Sequence, residues 1–151
     1  MKKYLILYLA TTVVLVLIDG VWLGVIAKDF YRSRVGHLMA PEVNWWAAAA
    51  FYLIYPVGVV IFANNPVLAG GAWSTALLYG ALFGFFAYAT YDLTNLATLR
   101  NWPVSLAALD MAWGALVTGV SAAAGILFEG LVLRSGSGSL SCDLRIAVLI
   151  I

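Results

Sequence analysis

The chain has 151 residues, is 64% hydrophobic and 10% charged, and has a mean hydropathy of +0.99 and a formal net charge of +1. Soluble domains carry about 25% charged residues, so this composition excludes one and specifies an integral membrane protein in contact with the lipid bilayer. The near-neutral charge gives no nucleic-acid surface. One cysteine, Cys142, and one histidine, His37, exclude a disulfide framework, a CxxC redox pair, a bis-His haem and a His-rich metal centre. No metal site and no cofactor are expected.

Crossing about 30 Å of hydrocarbon takes roughly 20 apolar residues. The first such run is 4–27, after Lys2 and Lys3. Its length exceeds the apolar region of a signal peptide, about 7–15 residues, and it reads as a retained helix. The second is 45–63, including Pro56, which membrane helices tolerate; Trp45 and Trp46 at its start suit an interfacial position. The third is 73–99. The fourth is 103–133, with Pro103 suited to the first helical position and Asn101 as a candidate cap. Glu129 lies near its end, within reach of the headgroups.

Residues 28–44 ("KDFYRSRVGHLMAPEVN") form a polar connection carrying most of the loop charge, with His37 solvated in it. The stretch 64–71 ("NNPVLAGG") is a tight Asn/Pro/Gly turn, and the third connection is shorter still. Short connections make neighbouring helices antiparallel. The expected fold is all-α: an antiparallel bundle of four transmembrane helices with both ends on one side. Lys and Arg divide equally between the faces: Lys2, Lys3, Arg134 and Arg145 against Lys28, Arg32, Arg34 and Arg100. The positive-inside rule therefore assigns no orientation. Residues 135–151 ("SGSGSLSCDL", a Ser/Gly-rich stretch, followed by a short apolar end) read as a flexible tail.

Three acids fall inside the spans: Asp19, Asp92 and Asp110. An aspartate at the centre of a membrane helix costs about 2.5–3.5 kcal/mol on insertion scales, so the bundle must turn all three inward, towards partners or water. Asp19 precedes Lys28 by nine residues, Asp92 precedes Arg100 by eight, and Asp110 follows Pro103 by seven. At 1.5 Å per residue each lies roughly 10–14 Å below the face that carries the charged connection. The three can meet.

Their neighbours repeat. "DGVW" (19–22) and "DMAW" (110–113) both place a tryptophan on the same helical face as the acid, and an indole N–H is a donor suited to a carboxylate. Tyr88, Asp92 and Asn95 share a face of the third helix, with Arg100 close behind. The candidate ligand-binding set is Asp19, Asp92, Asp110, Asn95, Tyr88, Arg100, Trp22 and Trp113. Tyr52 and Tyr55 share a face that can point at the acids. Ser105 and Ser121 lack a partner base, which argues against a serine hydrolase. Gly20/Gly24 and Gly80/Gly84 are Gly-xxx-Gly pairs that serve helix packing within the bundle or a homodimer.

"YATYDLTNLATLRNWP" (88–103), followed by "DMAWG", resembles the central motif of domain-of-unknown-function family 2177, a bacterial membrane family; "DGVWL" and "FYLIYPVG" (51–58) are similar to its other blocks. The resemblance covers residues 4 to about 133. It implies a small four-helix protein of a bacterial cytoplasmic membrane and carries no activity.

Function therefore rests on the acids. Intramembrane ionisable residues mark functional sites by default, and crowded carboxylates raise one another's proton affinity. The leading expectation is binding, with transport as an extension, of a small cation, a proton or an amine-bearing ligand. One alternative is a structural or accessory subunit whose Asp network only locks helix packing. The other is a membrane enzyme acting on a lipid or isoprenoid, weakened by a single basic residue and no histidine near the acids.

Overall fold

A computed structural model describes residues 1–135. The expected tail begins at the last described residue; the rest of it, with Cys142 and Arg145, lies outside the described residues. Among the described residues the chain is helical and has no strand. Four helices are long and apolar enough to cross a membrane: Lys2–Ile26, Trp45–Val67, Trp73–Thr98 and Val104–Leu133. They form an antiparallel bundle.

Helix α1 (Lys2–Val21) continues into a π-helical turn, Trp22–Ile26. The turn closes when Ala27 N–H donates to the Trp22 carbonyl at 2.7 Å, five residues back. Ala27 is the buried elbow from which α2 (Lys28–Val35) leaves. This segment, expected as part of a polar connection, is a two-turn helix. Asp29 in its first turn and Arg32 and Arg34 in its last complement the helix dipole. Short polar helices are marginal alone, and two side-chain bonds to the bundle, described below, hold this one.

Helix α3 (Trp45–Val59) is capped by the Asn44 side chain, which accepts from Ala47 N–H at 3.2 Å. A second π-helical turn, Val60–Asn64, extends it. The sequence reads Asn64 as a turn residue. Here it is helical and fully buried, and it donates from Nδ2 to the Ala122 carbonyl at 2.8 Å. The reversal comes later, at Gly70, whose φ of 117° requires glycine.

Helix α4 (Trp73–Thr98) is joined to α5 (Val104–Ser135) by a turn in which Asn101 takes φ 60°. Asn101 is thus the left-handed turn residue rather than the expected cap. The first carbonyl of α5 to accept is that of Pro103, from Leu106 and Ala107.

Helix α5 is central. About 44% of its span is buried inside the bundle, against 17% for the first span. Its tightest contact is with α4. A β-carbon on Gly84 would strike the Gly114 carbonyl and the Thr118 hydroxyl, and one on Gly80 would lie 2.8 Å from the Thr118 carbonyl. The Gly80/Gly84 pair therefore packs inside the bundle. Gly20 and Gly24 face outward, with nothing within 4 Å of an added β-carbon.

This contrast gives a direct test. Gly84→Ala forces backbone apart and is expected to destabilise the bundle by about 1–3 kcal/mol. Gly24→Ala meets open space and is expected to be neutral or stabilising by up to about 1 kcal/mol. Unfolding in mixed detergent micelles, with the two variants side by side, measures both.

Candidate functional site

The site lies where α1, α2, α3 and α5 converge beneath the charged connection. Asp19, at the last turn of α1, is 4% exposed. The Tyr52 hydroxyl of α3 donates to its Oδ2 at 2.7 Å, and the Trp113 indole N–H of α5 donates to its Oδ1 at 3.0 Å. Both oxygens are satisfied, each from a different helix. Pro56 lies inside α3 and offers no N–H to the Tyr52 carbonyl, so α3 is weakened at the turn that carries Tyr52.

Trp22 opens the π-helical turn and stacks on Trp113, with ring centroids 4.1 Å apart and planes 10° from parallel. Its indole N–H points at the Tyr31 hydroxyl at 3.5 Å. Tyr31, on α2, in turn donates to Asp110 Oδ1. The two Asp-x-x-Trp repeats thus do not pair within their own helices. Trp113 serves the acid of α1, and Trp22 serves the tyrosine that serves the acid of α5. The result is one network, Tyr52–Asp19–Trp113–Trp22–Tyr31–Asp110, that ties four helices together.

Helix α2 closes the network from above. Besides Tyr31, its Arg34 donates from Nη1 to the Ser105 hydroxyl at 2.8 Å, fixing it to the start of α5. Burial, with the Asp110 hydrogen bond next in weight, pushes the Tyr31 phenol above its ordinary range. Tyr31 stays a donor.

Asp92 differs from the other two acids. It is fully buried on α4, and neither carboxylate oxygen has a hydrogen-bond partner. The Trp102 indole lies beside it, but its buried N–H is also unpaired. Asp110 is within electrostatic reach of Asp92, and Asp19 of Asp110. No group of three acids is close enough to hold a metal ion among the described residues.

The remaining candidates divide. The Tyr88 ring lies over Gly114, with Asp19, Asp110, Tyr31 and Tyr55 within electrostatic reach. Asn95 is half-buried. Arg100 is exposed and forms no ion pair among the described residues; the acids do not depend on it. Tyr55 reaches the Thr118 hydroxyl at 2.8 Å rather than an acid. Glu129, expected at the headgroups, is 9% exposed and pairs with Lys3 Nζ at 3.5 Å.

A match to the family described as predicted membrane protein (DUF2177) spans residues 4–127. The chain belongs to this family. No curated protein and no solved structure matches it. The matched region contains the three acids and the aromatic residues that hold two of them.

Two contributors escape a reading of the sequence. Tyr31 sits in a run whose charge marks it as a connection, and only the helical period within "KDFYRSRV" turns it towards the bundle. Thr11, fully buried, lies in an apolar helix with no polar residue at i+3 or i+4 except its own neighbours in sequence.

Removing one hydroxyl tests the network. Tyr31→Phe leaves Asp110 without its donor and is expected to cost about 1–3 kcal/mol. The sign with pH follows from the raised phenol. Its contribution is complete below about pH 10, the ordinary tyrosine value, and is lost as pH rises towards the folded value. Wild type should therefore lose stability at alkaline pH more steeply than Tyr31→Phe in detergent melts from pH 7 to 11.

Proposed function

We propose that this bundle takes up and releases a small cationic species at Asp92, the proton being the smallest. The observation that carries the reading is the difference between the acids. Asp19 is held by two donors and Asp110 by one, whereas Asp92 is the most enclosed and has none. An ionised, unpaired carboxylate in a low-dielectric interior costs several kcal/mol. Asp92 is therefore stable there only with a proton or a cation on it, and Asp110 nearby strengthens that demand through like-charge repulsion.

The setting argues for a small, singly charged occupant. A divalent ion would want several oxygen ligands, and no third acid groups with Asp92 and Asp110. An amine-bearing ligand would need the α4–α5 contact at Gly84 and Gly114 to open. The enzyme reading loses support because the basic residue it needs, Arg100, is exposed. The resemblance of the central motif supports a bacterial cytoplasmic membrane as its location.

A second reading has its own observation. The saturated network around Asp19 and Asp110 joins four helices and suits a structural role for those two acids. It leaves Asp92 without one.

Thermal unfolding of the purified protein, scanned over pH and a panel of monovalent cations and amines, separates the readings. Wild type is expected to be stabilised by acid or by one of the cations, and Asp92→Asn to fold while losing that response. A variant that melts in parallel with wild type under every condition, merely shifted in temperature, would return Asp92 to a packing role.

A further inference from the structure

A stripe of polar and small residues runs along the inner side of α5 from Asp110 to Glu129. Asp110, Gly114, Thr118, Ser121, Gly125 and Glu129 follow at intervals of three or four residues, which is one helical face. The four side chains with polar atoms are 7%, 0%, 0% and 9% exposed. From Asp110 to Glu129 is nineteen residues, about 28 Å at 1.5 Å per residue, close to the thickness of the hydrocarbon core.

The two glycines in this stripe are where other helices contribute. At Gly114 the Tyr88 ring lies against the backbone, and on the next turn the Tyr55 hydroxyl lies 2.8 Å from the Thr118 hydroxyl. At Gly125 a β-carbon would meet the Thr11 hydroxyl and the Asn64 amide. Thr11 Oγ1 and Asn64 Oδ1 are completely buried and have no partner. They are unsatisfied polar atoms at the depth where α5 itself offers only glycine.

We propose that the species taken up at Asp92 is a proton, and that it crosses the bilayer along this face of α5 to Glu129. The proposal rests on the reading of Asp92 given above. Each step moves a proton only: a hydroxyl accepts one proton and releases its own, so Tyr55, Thr118, Ser121 and Thr11 are unchanged after a transfer, and no oxidant or reductant is involved. The unpaired Asn64 Oδ1 is the acceptor on offer at that depth. Close helix packing excludes a column of water but not a chain of hydroxyls.

The charged groups at the two ends differ. Asp92 has Asp110 of α5 within electrostatic reach, and Asp110 in turn has Asp19 of α1 and Tyr31 of α2. Glu129 pairs with Lys3 of α1 at 3.5 Å. The Lys3 ammonium also donates to the Leu68 carbonyl at 3.3 Å, so the exit is anchored to the turn after α3.

The test is proton flux into liposomes holding the full chain and an entrapped pH dye, driven by a potassium diffusion potential. Wild type is expected to exceed protein-free liposomes. Glu129→Gln and Asp92→Asn should each lower that flux at least tenfold, Ser121→Ala and Thr11→Val should lower it severalfold, and Gly24→Ala should match wild type. Ser121 bonds only to the Val117 carbonyl of its own helix, so Ser121→Ala remains informative if Glu129→Gln fails to fold. Flux no greater than in protein-free liposomes, or wild-type flux in both Ser121→Ala and Thr11→Val, overturns the route. An infrared titration of the Asp92 carboxyl band, assigned with Asp92→Asn, tells the two readings apart. A titrating band without flux removes the route and leaves the site; no titration removes both.

Discussion

The structure depends on one close approach, that of α4 to α5 at Gly84 and Gly114. Backbone meets backbone there because neither position carries a β-carbon. This contact sets Asp92 opposite the segment that carries Asp110 and lays the Tyr88 ring across α5. It also excludes solvent from both acids. Without lipid-to-water transfer as a driving force between helices, packing of this kind and interhelical hydrogen bonds are what hold a membrane bundle. A larger residue at either glycine would remove the reason for the acids to be dry, and with it the distinction between the paired and the unpaired ones.

The two satisfied acids and the unsatisfied one make a coherent pair of roles. Asp19 and Asp110 receive hydrogen bonds from Tyr52, Trp113 and Tyr31, and these donors come from three different helices. Such a network positions helices against rotation. Asp92 stands outside it, with the Trp102 indole beside it. Two carboxylates are thus satisfied by hydrogen-bond donors and the third is not.

Much of this was legible in the sequence because membrane spans are long and apolar, and because an acid within one stands out. Spacing from the charged connection places Asp19, Asp92 and Asp110 at one depth without any coordinates. Partner choice was not legible. The Asp-x-x-Trp repeats suggest pairing within a helix, but indoles reach across the bundle, and which acid each meets depends on helix rotation. Tyr31 was hidden by the charges around it, which mark a loop by composition while their positions suit a helix dipole. Asn64 was hidden by its neighbours Asn65 and Pro66, which are turn residues; a π-helical turn carries it one residue further into the bundle than the dipeptide suggests. Arg100 illustrates the converse. Proximity in sequence to Asp92 did not bring it into the site.

The hydropathy of the spans is uneven. The first, second and fourth spans average 2.2, 1.9 and 1.9, whereas α4 averages 1.2. Alone in lipid, α4 would present Asp92, Asn95 and its row of threonines and tyrosines with nothing to shield them. Only a few residues separate it from α5, and its small residues fit α5 and no other helix as closely. The least apolar span is thus the one whose polar residues depend most on its hairpin partner, α5, for shelter from lipid.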